Sequence, residues 1–93
     1  MEIDKIKNEI KKLLFKKLKL DKVIIKINGN YFQIIVVGEI FHRMNTVKKQ
    51  QIIYKPLTKY IKDNTIHALS IKAYTKIEWL EICKVNDSRN QIL

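Results

Sequence analysis

Two histidines, His42 and His67, and one cysteine, Cys83, are the side chains here best suited to bind a transition metal. A neutral imidazole offers a nitrogen lone pair and a thiolate offers a soft sulfur. The three are far apart in sequence, and no CxxC or HExxH spacing joins them into a closed site. His67 reads either as a ligand or as a partly buried ring hydrogen-bonded to backbone. His42 reads as an incidental surface residue or as a substitute contact. Cys83 sits near Trp79 and Leu80, where a thiol is either a soft ligand or a small core residue. No nucleophile elbow or P-loop is present, and Ser70 and Ser88 have no base signalled beside them. Glu78 and Glu81 are three apart and read as helix surface. An enzyme is not expected.

Something must position these groups, and 93 residues allow one domain. Hydrophobic residues make up 46% of the chain, enough for one modest core. A lone cysteine rules out an intramolecular disulfide. Met1 to Leu20 carries seven lysines among its apolar residues, which breaks the apolar run that a signal peptide needs. No window approaches the roughly 20 apolar residues that span a bilayer. A reducing cytoplasm is the expected compartment, and a membrane is not an expected partner.

The net charge of +10 raises polyanions as partners. Only Arg43 and Arg89 among the nineteen basic residues are arginine, however, and alanine occurs only at positions 68 and 73. Lys, Ile and Asn are what an AT-rich genome overproduces, so part of the charge reflects codon drift on solvated faces. Such charge still gives non-specific affinity for polyanions at low salt.

Ile3, Ile6, Ile10, Leu13, Leu14 and Leu18 recur at helical spacing with lysines between them, which predicts an amphipathic helix lying on a sheet. No tryptophan anchors it at a membrane interface. Val23 to Ile27 and Tyr31 to Val37 read as strands, and Asn28-Gly29-Asn30 between them is a hairpin signal. The second strand is apolar on both faces and so is expected at the centre of the sheet. Glu39 to Asn45 reads as a loop. From Thr46 to about Asp63 helical spacing returns through Val47, Tyr54, Leu57 and Ile61, with Ile53 and Tyr60 beside them and Pro56 expected to kink or split the helix. Ala68 to Tyr74 alternates as a third strand, parallel to the second through the helical crossover. Thr75-x-x-Glu78 is a capping box that opens a short last helix. The reading is an α+β fold, α-β-β-α-β-α, with a three-stranded mixed sheet covered by helices. Residues 1–84 form the domain and residues 85–93 a polar tail.

Three segments also carry a resemblance. Tyr31 to Phe41 (Tyr-Phe-Gln-Ile-Ile-Val-Val-Gly-Glu-Ile-Phe), Met44 to Leu57 (Met-Asn-Thr-Val-Lys-Lys-Gln-Gln-Ile-Ile-Tyr-Lys-Pro-Leu) and Ile66 to Thr75 (Ile-His-Ala-Leu-Ser-Ile-Lys-Ala-Tyr-Thr), followed by Glu78-Trp79, resemble the BolA family in its IbaG-like branch. They cover about half of the chain in the right order and spacing. The resemblance implies a fold like the class II KH domain. It also implies pairing with a monothiol glutaredoxin and a [2Fe-2S] cluster shared with that partner and its glutathione. The isolated chain would hold no cofactor. Iron-sulfur centres accept imidazole in place of thiolate, and their potential then rises. By this resemblance His67 is the main ligand. Tyr31 stands where IbaG-like members tend to carry a second imidazole, and Phe41 to Met44 lacks the glycine common there. A role in transcriptional regulation or stress response is also implied.

The alternative is a nucleic-acid-binding regulator. Lys48 and Lys49 open the second helix with Phe41 and Arg43 before them, a surface for a partner or for phosphates. The GXXG grip of KH domains is missing, because Gly29 and Gly38 are the only glycines. A homodimer stays open.

Overall fold

A computed structural model describes the backbone of residues 2–29 and 31–92 and the side-chain surroundings of residues 4–29 and 31–84. The elements run α1 (Glu2–Lys17), β1 (Lys22–Asn28), β2 (Tyr31–Val37), a single 3-10 turn (Glu39–Phe41), α2 (Thr46–Lys62), β3 (Ala68–Tyr74) and α3 (Lys76–Ile92). Strand order is β1-β2-β3. β1 and β2 pair antiparallel from Lys22↔Val37 to Asn28↔Tyr31, and β2 and β3 pair parallel from Tyr31↔Ala68 to Val37↔Tyr74. The doubly apolar strand is therefore the central one. Gly29, at φ +61, enters the hairpin turn in the left-handed region that a side chain would resist.

One face of the sheet carries the core. Val23, Ile25, Phe32, Ile34, Val36 and Ile71 are buried there against Ile10 and Leu14 of α1 and Ile53, Leu57 and Tyr60 of α2. The buried positions of α2 follow i, i+4, i+7 spacing. Val47 and Tyr54, expected on that stripe, face solvent with 64% and 47% exposure. Tyr60 joins the two helices: its hydroxyl donates to Glu9 Oε2 at 3.5 Å, and burial, then the Glu9 charge, push its pKa up.

Four further expectations change. α2 is one helix through Pro56, neither split nor restarted near Lys55. The missing donor leaves the Ile52 carbonyl without its helical partner, but Ile53, Leu57 and Tyr60 flank the proline and bury on one face, which holds the helix together. The segment after β2 is a 3-10 turn rather than an unstructured loop. α3 is a long helix reaching Ile92, because nothing between Thr75 and Gln91 is Gly or Pro; the segment read as a tail is helical in backbone. Phe41, read as a surface residue, is 1% exposed and belongs to the core cluster, so most of its ring packs inward. Full burial of such a ring is worth about 2–3 kcal/mol.

Asn45 caps α2, its side chain accepting from Lys48 N at 2.8 Å. At the other end Asn64 takes φ 65 just beyond the helix, the left-handed stop expected there. β3 is an edge strand, and Gln50 Nε2 of α2 donates to its Ile71 carbonyl at 2.7 Å.

Gly38 is extended, so its role is space rather than φ. A Cβ there would lie 3.0 Å from the Lys19 carbonyl oxygen and 3.2 Å from Leu20 Cδ2. Gly38→Ala is therefore expected to push the α1–β1 connection away from the sheet and to cost about 1–3 kcal/mol. Urea unfolding measures this, and an unchanged midpoint would show that the connection yields freely.

Candidate functional site

The parallel register decides which sequence candidates meet. Tyr31 pairs with Ala68, so His67, one residue earlier, stands at the same end of the sheet as Tyr31. His67 is exposed in the bend that follows Ile66, and Ile66 is buried. The amide of Ile66 donates to the Tyr60 carbonyl at 3.0 Å, and the amide of Thr65 donates to Asp63 Oδ1 at 2.9 Å. The Thr65 hydroxyl and amide together hold the Asp63 carboxyl below its ordinary pKa. The imidazole thus leaves a short loop whose backbone is bonded just before it and which enters β3 just after it. His67 is therefore not the partly buried ring of the other reading.

His42 lies at the opposite end. β2 is seven residues long, which puts about 20 Å between its two ends, and His42 follows the far one. It cannot share a metal with His67. Cys83 is half-buried on α3. Among the described residues, no group of three or more His, Cys, Asp or Glu comes together to hold a metal ion. This chain can offer one imidazole at the His67 end, and any remaining ligands would have to come from another molecule.

The far end holds the other candidates. A hollow of about 340 Å³ is lined by residues 41–44 together with Lys49, Thr75, Ile77 and Glu78. Lys49 Nζ is 3.8 Å from Glu78 Oε1, so this lysine is partly neutralised, whereas Lys48 is exposed. The expected capping box is present: Thr75 N donates to Glu78 Oε1 at 2.8 Å, and Glu78 N donates to Thr75 Oγ1 at 3.3 Å. The Thr75 amide, more than Lys49, pulls the Glu78 carboxyl below its ordinary pKa. Arg43 takes φ 66, a left-handed conformation that costs a residue with a side chain about 1–2 kcal/mol.

The outer face of α2 was missed by the sequence reading. Thr46, Val47, Gln50, Gln51, Tyr54 and Lys55 line an open hollow of about 620 Å³. The signal available was the phase of Ile53, Leu57 and Tyr60, which turns Val47 and Tyr54 outward.

The comparisons with known proteins settle the family. The sequence profile of BolA-like proteins matches residues 7–78. The chain belongs to the BolA family. This BolA-family chain is 52% identical over 79 residues to the acid stress protein IbaG of Escherichia coli K12, covering 85% of this chain and 94% of that one. An uncharacterized protein of Buchnera aphidicola subsp. Acyrthosiphon pisum is 51% identical over 71 residues, 76% of this chain and 89% of that one. Among solved structures, BolA1 from Arabidopsis thaliana superposes with a TM-score of 0.68 at 27% identity, covering 76% and 92% of the two chains. A BolA homologue from Coxiella burnetii gives 0.64 at 27% identity, covering 77% and 92%. No described helix is long and apolar enough to cross a membrane.

Two outcomes follow for the His42 end. Arg43→Gly relieves the left-handed strain and is expected to hold or raise stability by up to about 1 kcal/mol, less whatever glycine adds to the freedom of the unfolded chain. A clear loss in thermal unfolding would mean that the Arg43 side chain contributes more than its backbone costs. Glu78 has a folded pKa below its ordinary 4.5. Its charge therefore adds stability above pH 4.5, and that share disappears as pH falls through the folded value. Glu78→Gln keeps the acceptor oxygen and removes the charge. The variant should be less stable than the parent at pH 7, with the gap closing as pH falls below 4.5 and through the folded pKa, and a pH-independent gap in urea midpoints would contradict the assignment.

Proposed function

We propose that this protein is a non-enzymatic adaptor that pairs with a monothiol glutaredoxin and lends an imidazole, that of His67, to a [2Fe-2S] cluster held between the two. The observation that carries the reading is the exposure of His67 on a braced loop at the mouth of β3. A ligand shared between two chains has to project from a fixed base, and the bonds from Ile66 and Thr65 provide one. Supporting it are membership of the BolA family and close similarity to a protein named for acid stress.

The chemistry required of this chain is modest. His67 donates one nitrogen lone pair as neutral imidazole. The glutaredoxin and glutathione supply thiolates. Replacing one thiolate by imidazole removes negative charge from around the iron and raises its potential, which suits a sensor or a carrier of clusters. Tyr31, at the same end of the sheet as His67, is a poor second ligand. The outer face of α2, with Val47 and Tyr54 exposed and Lys48 at its start, together with β3, supplies the contact surface. The proposal carries a reducing, cytoplasmic setting and a part in the response to acid or oxidative stress.

Mixing the protein with a cluster-loaded monothiol glutaredoxin tests this. The visible circular dichroism of the cluster should change to a new saturable spectrum at one equivalent. His67→Ala should abolish that change, and His67→Cys should restore a spectrum of different, all-thiolate character. A glutaredoxin spectrum untouched by the wild-type protein would reject the proposal. A full response from His67→Ala would reject His67 as the ligand.

A further inference from the structure

We infer that the face of the sheet turned away from the core is a docking platform for a single-stranded polynucleotide. Side chains of paired residues share a face, so the two registers define this surface as four rows across β1, β2 and β3. They are Lys22, Val37 and Tyr74; Ile24, Ile35 and Lys72; Lys26, Gln33 and Ser70; and Asn28, Tyr31 and Ala68. No carboxylate occurs among these twelve positions, in a chain whose net charge is +10.

The first row is closed. Trp79 of α3 lies 5.9 Å from the Tyr74 ring, Lys22 Nζ is 5.8 Å from the Trp79 ring centroid, and Val37 beneath them is 2% exposed. The other three rows are open: Lys26, Asn28, Tyr31, Ala68 and Lys72 are exposed, while Ile24, Gln33, Ile35 and Ser70 are partly covered. Lys26 and Lys72, unpaired among the described residues, stand diagonally on the outer strands, their backbones about 12 Å apart, and flank a neutral central column. That column presents a half-exposed phenol, an amide and an aliphatic side chain in line: Tyr31, Gln33 and Ile35.

Each part has a counterpart in a single strand. Ammonium groups at the borders meet phosphates. A flat aromatic with apolar and amide neighbours meets base faces and base edges. A duplex hides its base faces and would leave the central column unused, and an acidic peptide would satisfy the lysines alone. The platform differs from the basic start of α2, and it does not depend on the role of His67: the glutaredoxin titration and the test below can fail separately.

The probe is a fluorescein-labelled mixed-sequence 12-nucleotide DNA, read by fluorescence anisotropy across a series of KCl concentrations. The wild-type protein should bind it more tightly than the blunt duplex of the same sequence. The double variant Lys26→Gln/Lys72→Gln should flatten the dependence of log K on log salt by about 0.7 for each lysine removed. Tyr31→Ala should weaken binding about fivefold or more and leave that slope unchanged. The control is Lys12→Gln/Lys16→Gln, an equal change of charge at exposed positions of α1, and it should have the smaller effect. Equal loss in the control would reduce the binding to net charge and overturn the inference. So would a greater loss from Lys48→Gln, preference for the duplex, or equally effective displacement by poly-glutamate at matched charge. All variants replace exposed side chains, and far-ultraviolet circular dichroism checks that each is folded.

Discussion

β2 hydrogen-bonds to β1 on one side and β3 on the other, and its side chains alternate between a buried face and an open one. The parallel half of that pairing sets where chemistry can occur. It holds residues 31 and 68 side by side, which puts His67 at the end of the sheet where β2 begins. It also puts Val37 beside Tyr74, which leads the chain into α3 next to the turn that follows β2. A slip of one residue would turn Phe32, Ile34 and Val36 out of the core. Those three are almost fully buried, so the hydrophobic free energy of the core is also what fixes the position of the imidazole.

The strands were legible because their signals are local. Alternation in Ala68 to Tyr74, the Asn-Gly turn and the doubly apolar run of Tyr31 to Val37 each specify an element within a few residues. Where reading failed, the deciding term was tertiary. Pro56 breaks a helix in isolation, yet Ile53 and Leu57 beside it are completely buried, and that burial outweighs a lost backbone bond. Phe41 follows a glycine and a charged residue, a context that reads as exposed loop; the 3-10 turn rotates its ring inward. Val47 and Tyr54 fit a helical stripe on paper, but the stripe that packs is set a third of a turn away by Ile53, Leu57 and Tyr60.

The candidate site was legible in a different sense. Nothing in the spacing of His67 from other residues marks it as a ligand; its neighbours in sequence carry the resemblance, and its exposure had to be seen. The separation of His42 from His67 was within reach of the sequence, since one follows the second strand and the other precedes a strand parallel to it. Arg43 could not have been read as left-handed, because that conformation arises from the way the 3-10 turn hands the chain to Asn45.

The contact between Gln50 and the Ile71 carbonyl has a consequence for how these molecules coexist at high concentration. Bare margins of sheets invite identical chains to stack side by side, and polymers grow from such seams. Here an amide borrowed from a helix already sits where an arriving backbone would have to bond. A newcomer would need to evict it and rotate the helix that carries it. One acceptor on the rim of β3 is therefore already taken, and Lys72 inside the strand adds a charge that a second copy of the same edge would have to approach.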